Sequence, residues 1–477
     1  MYRRTKIVAT VGPSCAGREP LEDLLKAGVD VFRLNFSHGE LEQKAIWIAQ
    51  IRELSAEYQK AISILGDLQG PKIRTGLMRH GSQQLEAEQE VVITTEAVEG
   101  ADGLIPTTYP ALPQDVVSGN QILLDDGRLE LEVLRIEAEQ IYCRVKVGGL
   151  LKDRKGINLP GVNVSAPAMT KKDLADLEFI IDQQLDWVAL SFVRTAEEVS
   201  RLKQILAKRN SSIRVIAKIE KPEAVDNFSA ILAVTDGVMV ARGDLGVEVP
   251  SEQVPLIQKR IIRECNQVGK PVITATQMLE SMIAHPRPTR AETSDVANAI
   301  LDGTDAIMLS GETAAGLYPV EAVKVMDRVA MDVEREPALK VNPAIFTPPA
   351  ALQQNLTDAI GQAACQVAEN VGATAILAFT QTGSTATLIA KYHPSLPIIA
   401  VTPNQQVKNR LAIYRGVNAV LVDIQGDTEA QILSVEAAVL KHGLLMHGDV
   451  VVITMGSPLS AAGTTNLLKI HRLENRD

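Results

Sequence analysis

Val215-Ile-Ala-Lys-Ile-Glu-Lys221 and Gly237-Val-Met-Val-Ala-Arg-Gly-Asp-Leu-Gly246 decide the architecture. Each is a short β-branched or apolar run that gives way to charged residues, and a helix-like segment separates them. That is the pattern of a parallel βαβ unit. The same pattern recurs at Lys6 to Thr10, Val29 to Asn35, Ile62 to Asp67, Trp187 to Ser191, Val272 to Thr276 and Ala306 to Leu309. Eight such strands joined by crossovers predict an α/β fold built on a (β/α)8 TIM barrel. In that fold reactive residues sit at the C-terminal ends of the strands.

Between the third and fourth strands more than a hundred residues intervene, and the period changes from helical to alternating. Gln121 to Leu124, Leu129 to Ile136 and Ile141 to Val147 read as strands, with turn signals at Asp126-Gly127 and Gly148-Gly149. They predict an inserted small β-barrel that serves as a lid. Beyond the eighth unit, the Pro-containing stretch Asn342 to Ala350 marks a boundary. Ala375 to Phe379, Pro397 to Val401, Ala419 to Asp423 and Val450 to Thr454 then read as parallel strands of a C-terminal doubly wound α/β domain. The expected division is 1–69 and 168–341 for the barrel, 70–167 for the lid and 342–477 for the C-terminal domain. No solenoid repeat or low-complexity tract is present.

A chain of 477 residues exceeds one hydrophobic core, in keeping with several domains. With 58 acidic and 48 basic side chains the formal charge is −10, which disfavours broad attraction to nucleic acid or anionic membrane. No uncharged apolar run approaches the ~20 residues of a membrane helix. The start Met-Tyr-Arg-Arg-Thr-Lys lacks a signal peptide's apolar stretch, so a cytoplasmic location is expected. Cys15, Cys143, Cys265 and Cys365 are scattered without metal-ligand spacing and read as reduced structural thiols.

The polar strand ends carry the chemistry. Lys218 and Glu220 close the fifth strand, and Arg242, Gly243 and Asp244 the sixth. Two carboxylates beside a lysine suit a hard cation that bridges to phosphate oxygens, the habit of Mg²⁺, although either pair alone reads equally as a salt bridge. Phe-Arg33-Leu-Asn35-Phe-Ser37-His38-Gly clusters a guanidinium fork, an amide and a hydroxyl, which suits an anionic substrate. His38 is also compatible with an ordinary loop histidine. Thr276 and Ser310 add hydroxyls at the seventh and eighth strand ends, positions where hydroxyls also cap helices. There is no Walker A sequence and no Gly-x-Gly-x-x-Gly, so nucleotide phosphates would have to be held by metal and cationic side chains.

These residues resemble the pyruvate kinase family. The likeness runs through Thr-Lys-Ile-Val-Ala-Thr-Val-Gly-Pro-Ser (5–14), Arg-Leu-Asn-Phe-Ser-His-Gly (33–39) and Gly-Asp-Leu-Gln-Gly-Pro-Lys-Ile-Arg-Thr-Gly (66–76). It continues through Lys-Gly-Ile-Asn-Leu-Pro-Gly (155–161), Ala-Thr-Gln-Met-Leu-Glu-Ser-Met (275–282) and Pro-Thr-Arg-Ala-Glu (288–292). The resemblance implies phosphoryl transfer from phosphoenolpyruvate to ADP, then protonation of the enolate. By resemblance, Arg33 binds the substrate phosphate, Glu220 and Asp244 bind Mg²⁺ (or Mn²⁺ in its place), and Lys218 stabilises the phosphoryl group in flight. Gly243, Asp244 and Thr276 hold the carboxylate end. Arg74 and Lys155 contact the nucleotide phosphates, Asn35 and His38 lie near ADP, and Ser310 or water relays a proton. A homotetramer is the family expectation.

Two departures matter. Potassium-dependent members read Asp-Thr-Lys-Gly-Pro-Glu where this chain has Asp67-Leu68-Gln69-Gly70-Pro71-Lys72. Leu68 removes a K⁺-ligating hydroxyl and Lys72 replaces an acid with a tethered ammonium, so K⁺ independence is expected. Asn35, Ser37 and Asp67 keep the monovalent-site pattern. In the C-terminal domain, Thr380-Gln381-Thr382-Gly383-Ser384-Thr385 resembles the family's sugar-phosphate loop, with Ser384 where arginine is frequent. A sugar monophosphate is therefore the expected effector. Two other readings are a different Mg²⁺-dependent barrel enzyme acting on phosphoenolpyruvate or a keto acid, and a non-catalytic sugar-phosphate sensor. The Arg74 and Lys155 pair argues against the first, the intact strand-end residues against the second.

Overall fold

The computed structural model describes residues 2–336, 356–423, 428–456 and 465–474. Its strands begin with β1 (Lys6–Val11), β2 (Val31–Asn35) and β3 (Ser63–Asp67). The insert contributes β4 (Ser82–Leu85), β5 (Glu90–Thr94), β6 (Leu104–Pro106), β7 (Gln121–Leu124), β8 (Leu129–Glu137), β9 (Gln140–Val147), β10 (Gly149–Lys152) and β11 (Ile157–Asn158). Next come β12 (Trp187–Leu190), β13 (Arg214–Ile219), β14 (Gly237–Ala241), β15 (Val272–Ala275) and β16 (Ala306–Leu309). The last are β17 (Ala375–Phe379), β18 (Ile398–Thr402), β19 (Val417–Leu421), β20 (Val450–Met455) and β21 (Leu467–Arg472).

β1, β2, β3 and β12 to β16 pair in parallel and in sequence, and β16 returns to β1 to close the barrel. Both strand faces are buried, which is why they read as continuous apolar runs rather than alternating ones. Val8, Val31, Leu65, Trp187, Ile216 and Met239 fill the interior, while Ile7, Phe32 and Ile64 face the helices. Ile413 of the C-terminal domain joins the interior cluster and plugs the barrel base. β2 starts at Val31 rather than Val29, because Asp30 turns its carboxylate onto the Ile7 N–H (2.9 Å) and Arg3 (2.9 Å).

The insert leaves from the C-terminal end of β3, above the barrel mouth. The small β-barrel expected there takes the form of a six-stranded sheet, β11-β7-β8-β9-β5-β6, and a two-stranded sheet, β10-β4. Leu85 and Leu151 of the smaller sheet share one core with Ile93, Leu131 and Val145 of the larger. The helix Lys171–Asp182 leads back to the barrel, and its Asp173 fastens the lid root. One oxygen accepts from Thr170 N–H (2.8 Å), the other from Gly70 N–H (3.0 Å). Gly70 has φ +70°, and a Cβ there would strike Phe192 at 2.8 Å, so this joint requires glycine.

In the C-terminal domain β19-β18-β17-β20 are parallel, and β21 adds an antiparallel edge on β20 that alternation did not reveal. The boundary expected over Asn342 to Ala350 lies outside the described residues. No described helix is long and apolar enough to cross a membrane.

Candidate active site

Four charged side chains converge at the ends of β2, β3 and β13. Arg33 donates from Nε to Asp67 Oδ2 (2.7 Å) and from Nη1 to Thr10 Oγ1 (3.0 Å). Lys218 Nζ lies 2.9 Å from Glu220 Oε1 and 3.3 Å from Asp67 Oδ1, and donates to Ser191 Oγ (2.8 Å). Asp67 and Glu220 are each only 1% exposed. Glu220 Oε2 also accepts the Phe192 N–H (2.8 Å).

Burial works against both charged forms and the pairings decide the outcome. Burial pushes the Asp67 carboxyl up, but Lys218 and Arg33 outweigh it and hold the group below the usual carboxylate range. Burial would likewise strip the Lys218 proton, yet Asp67 and Glu220 keep the ammonium charged well above its ordinary value. Glu220 goes the other way: burial, reinforced by the negative Asp244 nearby, raises its affinity for a proton despite Lys218. Two carboxylates that resist sharing one negative region are suited to a divalent cation, and Asp244 has no ion-pair partner among the described residues. No group of three or more metal-ligating side chains occurs among those residues. A two-carboxylate set fits Mg²⁺, which keeps waters and substrate oxygens in its remaining positions.

Asp244 and Gly243 open the helix Arg242–Glu248 directly after β14. Gly243 N–H donates to Thr276 Oγ1 (2.6 Å), which in turn donates to Ala275 O (2.6 Å). Thr276 has φ +68° and Gln277 φ +54°. A β-branched residue in that region is strained and is kept there by its surroundings. Arg242 supplies the restraint, donating to Thr276 O (2.9 Å) while paired with Asp295 (2.7 Å). A Cβ on Gly243 would stand 3.3 Å from Thr276 Oγ1.

The Arg33 to His38 segment forms the rim. Asn35 Oδ1 accepts the Ser37 N–H (3.0 Å), and Lys44 fixes the turn through His38 O (2.6 Å). Burial and then Arg74, Lys72, Lys44 and Arg33 lower the His38 pKa, so several cations face one place. Lys72 lines the cleft between lid and barrel together with Asp244, Asn158 and Phe192. Leu68 is buried and packs in the barrel's outer core, with no oxygen to offer. Arg74 donates to Arg154 O (3.1 Å), whereas Lys155 is paired with Asp125 (2.7 Å). Ser310 follows β16; its N–H donates to Glu312 Oε2 (2.7 Å). In the C-terminal domain, Thr380 Oγ1 accepts the Gly383 N–H (2.8 Å) and Thr382 donates to Ser384 (3.1 Å). Thr385 is buried against Thr465 (2.9 Å), its hydroxyl turned away from the loop surface.

Three contributors escaped the sequence reading. Ser191 touches Lys218 and lies 3.4 Å from Asp67, and as the polar end of the fourth strand it carried the signal that marked the others. Glu312 is buried and joins two site loops, accepting from Leu279 N–H (3.0 Å) as well as Ser310. Glu248 accepts from Asn158 of the lid (2.9 Å) and pairs with Lys221 (2.6 Å), which ties the lid to both carboxylate-bearing segments. Neither glutamate has a sequence signature.

Comparison with known proteins places this geometry. Residues 2–323 match the family model for the pyruvate kinase barrel domain, and residues 358–471 that for the pyruvate kinase alpha/beta domain. A pyruvate kinase of Geobacillus stearothermophilus is 49% identical over 475 residues, covering 99% of this chain and 80% of the relative. One from Sporosarcina psychrophila is 49% identical over 474 residues, with 98% and 80% coverage. The crystal structure of a pyruvate kinase from Cryptosporidium parvum superposes with a TM-score of 0.92 at 40% identity, covering 99% of this chain and 96% of that one. With both domains matched and nearly the whole length aligned, the chain belongs to the pyruvate kinase family and is a phosphotransferase.

Proposed function

We propose that this chain transfers the phosphoryl group of phosphoenolpyruvate to ADP, yielding ATP and pyruvate, and that it does so without K⁺. The observation that carries this reading is the buried Arg33–Asp67–Lys218–Glu220 cluster at the barrel mouth. Phosphoryl transfer passes through a loose transition state that needs positioning and charge neutralisation more than covalent chemistry. Asp67 and Thr10 hold the Arg33 guanidinium by Nε and Nη1, leaving Nη2 for the substrate phosphate. Lys218, kept protonated by its neighbours, neutralises charge on the group in flight. Glu220 and Asp244 are the residues that would hold Mg²⁺, or Mn²⁺ in its stead; the ion supplies charge neutralisation at the phosphate oxygens. Gly243, Asp244 and Thr276 orient the carboxylate end, and the Ser310 hydroxyl is a candidate relay for the enolate proton. Arg74, Lys155, Asn35 and His38 form the ADP side, where several positive charges converge.

K⁺ independence is supported by Lys72, which lines the same cleft as Asp244, and by Leu68, which puts a buried apolar side chain where a ligating hydroxyl would stand. Asn35, Ser37 and Asp67 would then surround a site served by a tethered cation. Turnover of wild type should change little as KCl is added to K⁺-free buffer, whereas Lys72→Glu should acquire K⁺ activation. A many-fold rise of wild-type turnover with KCl refutes the tethered-cation reading.

A sugar monophosphate effector and a homotetrameric assembly complete the reading. The Thr380–Ser384 turn, with Gly383 at φ +95°, supports an effector loop. Saturation kinetics indifferent to every sugar phosphate tested would remove the regulatory part.

A further inference from the structure

Three segments of the site meet at one buried carboxylate that has no role in the reaction described above. Glu248 closes the helix Arg242–Glu248, one turn beyond Asp244, and its side chain is 1% exposed. A single oxygen, Oε1, accepts from both Asn158 Nδ2 of the lid strand β11 (2.9 Å) and Lys221 Nζ (2.6 Å). Lys221 directly follows Glu220, just past the end of β13. The lid meets the same helix a second time, since a Cβ on Gly127, in the turn between β7 and β8, would stand 3.7 Å from Val247.

Stability does not account for this arrangement. A buried ion pair gains little over apolar packing of the same volume, because desolvation offsets the attraction. Glu248 Oε2 is buried as well, with no hydrogen-bond partner among the described residues, which is a further cost. What the pairing fixes is geometry. It joins the segment that carries Glu220 to the helix that carries Asp244, and through Asn158 it fastens the lid to that joint.

We propose that Glu248 is a positioning residue that couples docking of the lid to binding of the divalent cation. This rests on Glu220 and Asp244 holding the cation, as proposed above. Glu248 acts through the segments it joins rather than by contact with the ion. With Asn158 on Oε1 the lid is docked and the two carboxylate-bearing segments are held in one arrangement. With Asn158 withdrawn, Lys221 alone holds that oxygen and the joint loosens. Such coupling is reciprocal: the docked lid tightens cation binding by the same factor by which the cation favours the docked lid.

Binding of Mn²⁺ to the full-length enzyme without substrates, followed by electron paramagnetic resonance, tests this. Asn158→Ala changes no charge and removes no residue assigned to the ion, so an uncoupled site would be indifferent to it. The expected result is a Kd for Mn²⁺ raised roughly fivefold or more. Glu248→Met should raise it too, and in that background Asn158→Ala should add nothing, because the two act through one contact. Hydrogen exchange gives the reciprocal readout: Mn²⁺ should slow exchange across residues 156–159 of the lid in wild type and leave it unchanged in either variant. Circular dichroism verifies the fold; should Glu248→Met fail to fold, Asn158→Ala alone carries both measurements. Wild-type Mn²⁺ affinity in Asn158→Ala, additive effects in the double variant, or lid exchange in wild type that ignores Mn²⁺ would each overturn the coupling. Asp244→Asn is the control for the cation site. Undiminished Mn²⁺ binding there overturns the cation assignment, whereas lost binding there with unchanged affinity in Asn158→Ala overturns the coupling alone.

Discussion

Lys218→Met removes the ammonium and keeps the stem. In the structure that ammonium lies 2.9 Å from Glu220 and 3.3 Å from Asp67 and donates to Ser191 at 2.8 Å, at a position that is almost fully buried. Without it two buried carboxylates face Arg33 alone, and Asp244 adds a third negative charge nearby. Breaking a buried pair from one side costs about 3–5 kcal/mol. Part of that is recovered because loss of Lys218 removes the charge that opposes burial at Glu220, which raises the proton affinity of its carboxyl further. Protonated Glu220 is a poorer metal ligand, so the Mg²⁺ concentration needed for half activation should rise. The chemical step loses a cation aimed at the transferring group, a role worth about 10³-fold or more in phosphoryl transfer. Steady-state pyruvate production, an Mg²⁺ titration and thermal unfolding measured on the same preparation check the three expectations. A folded Lys218→Met enzyme that keeps turnover within about tenfold of wild type would refute the assignment of the in-flight charge to Lys218.

Two further outcomes follow from local geometry. Gly243→Ala would place a Cβ 3.3 Å from Thr276 Oγ1 and 3.4 Å from its Cβ, against a residue already held at φ +68°. Small displacements of positioned groups cost about 10²-fold. Steady-state kinetics should show a raised KM for phosphoenolpyruvate and reduced kcat with little change in Tm; unchanged kinetics would remove Gly243 and Thr276 from the substrate site. Asp305 accepts from Val272 N–H (3.0 Å) and Arg415 N–H (3.1 Å), and burial lifts its carboxyl from the usual 3.8 to about 6. A group whose folded pKa is raised stabilises fully below its unfolded value and loses that contribution as pH climbs through about 6. The difference is about 3 kcal/mol. Wild type should therefore lose stability relative to Asp305→Asn as pH rises from about 4 to about 7, with no further divergence above that, in thermal unfolding, and parallel curves over that range would contradict this.

The barrel was legible because each strand is a short apolar run buried on both faces, ended by a polar residue. Val215 to Lys218 and Gly237 to Arg242 announce strands that the structure draws at Arg214–Ile219 and Gly237–Ala241. The lid was less so. β4 is a mixed, mostly uncovered Ser-Gln-Gln-Leu run, and β6 has only three residues and ends on Pro106. β21 mixes Lys469, His471 and Arg472 into its pattern, as a solvent-facing edge does, and so carries no apolar strand signal. In the site, residue types were visible and pairings were not. Asp67 stood out for a monovalent-cation pattern, yet its carboxylate sits between Arg33 and Lys218. Lys155 pairs with Asp125, thirty residues away, and Thr385 points at Thr465, partners that spacing cannot reveal.

The most direct test is phosphorus NMR of the enzyme with phosphoenolpyruvate, ADP and Mg²⁺, in a buffer whose only monovalent cation is tetramethylammonium. The account predicts that ATP appears as phosphoenolpyruvate is consumed, with pyruvate formed one to one. Absence of ATP under these conditions and again after KCl is added would contradict it.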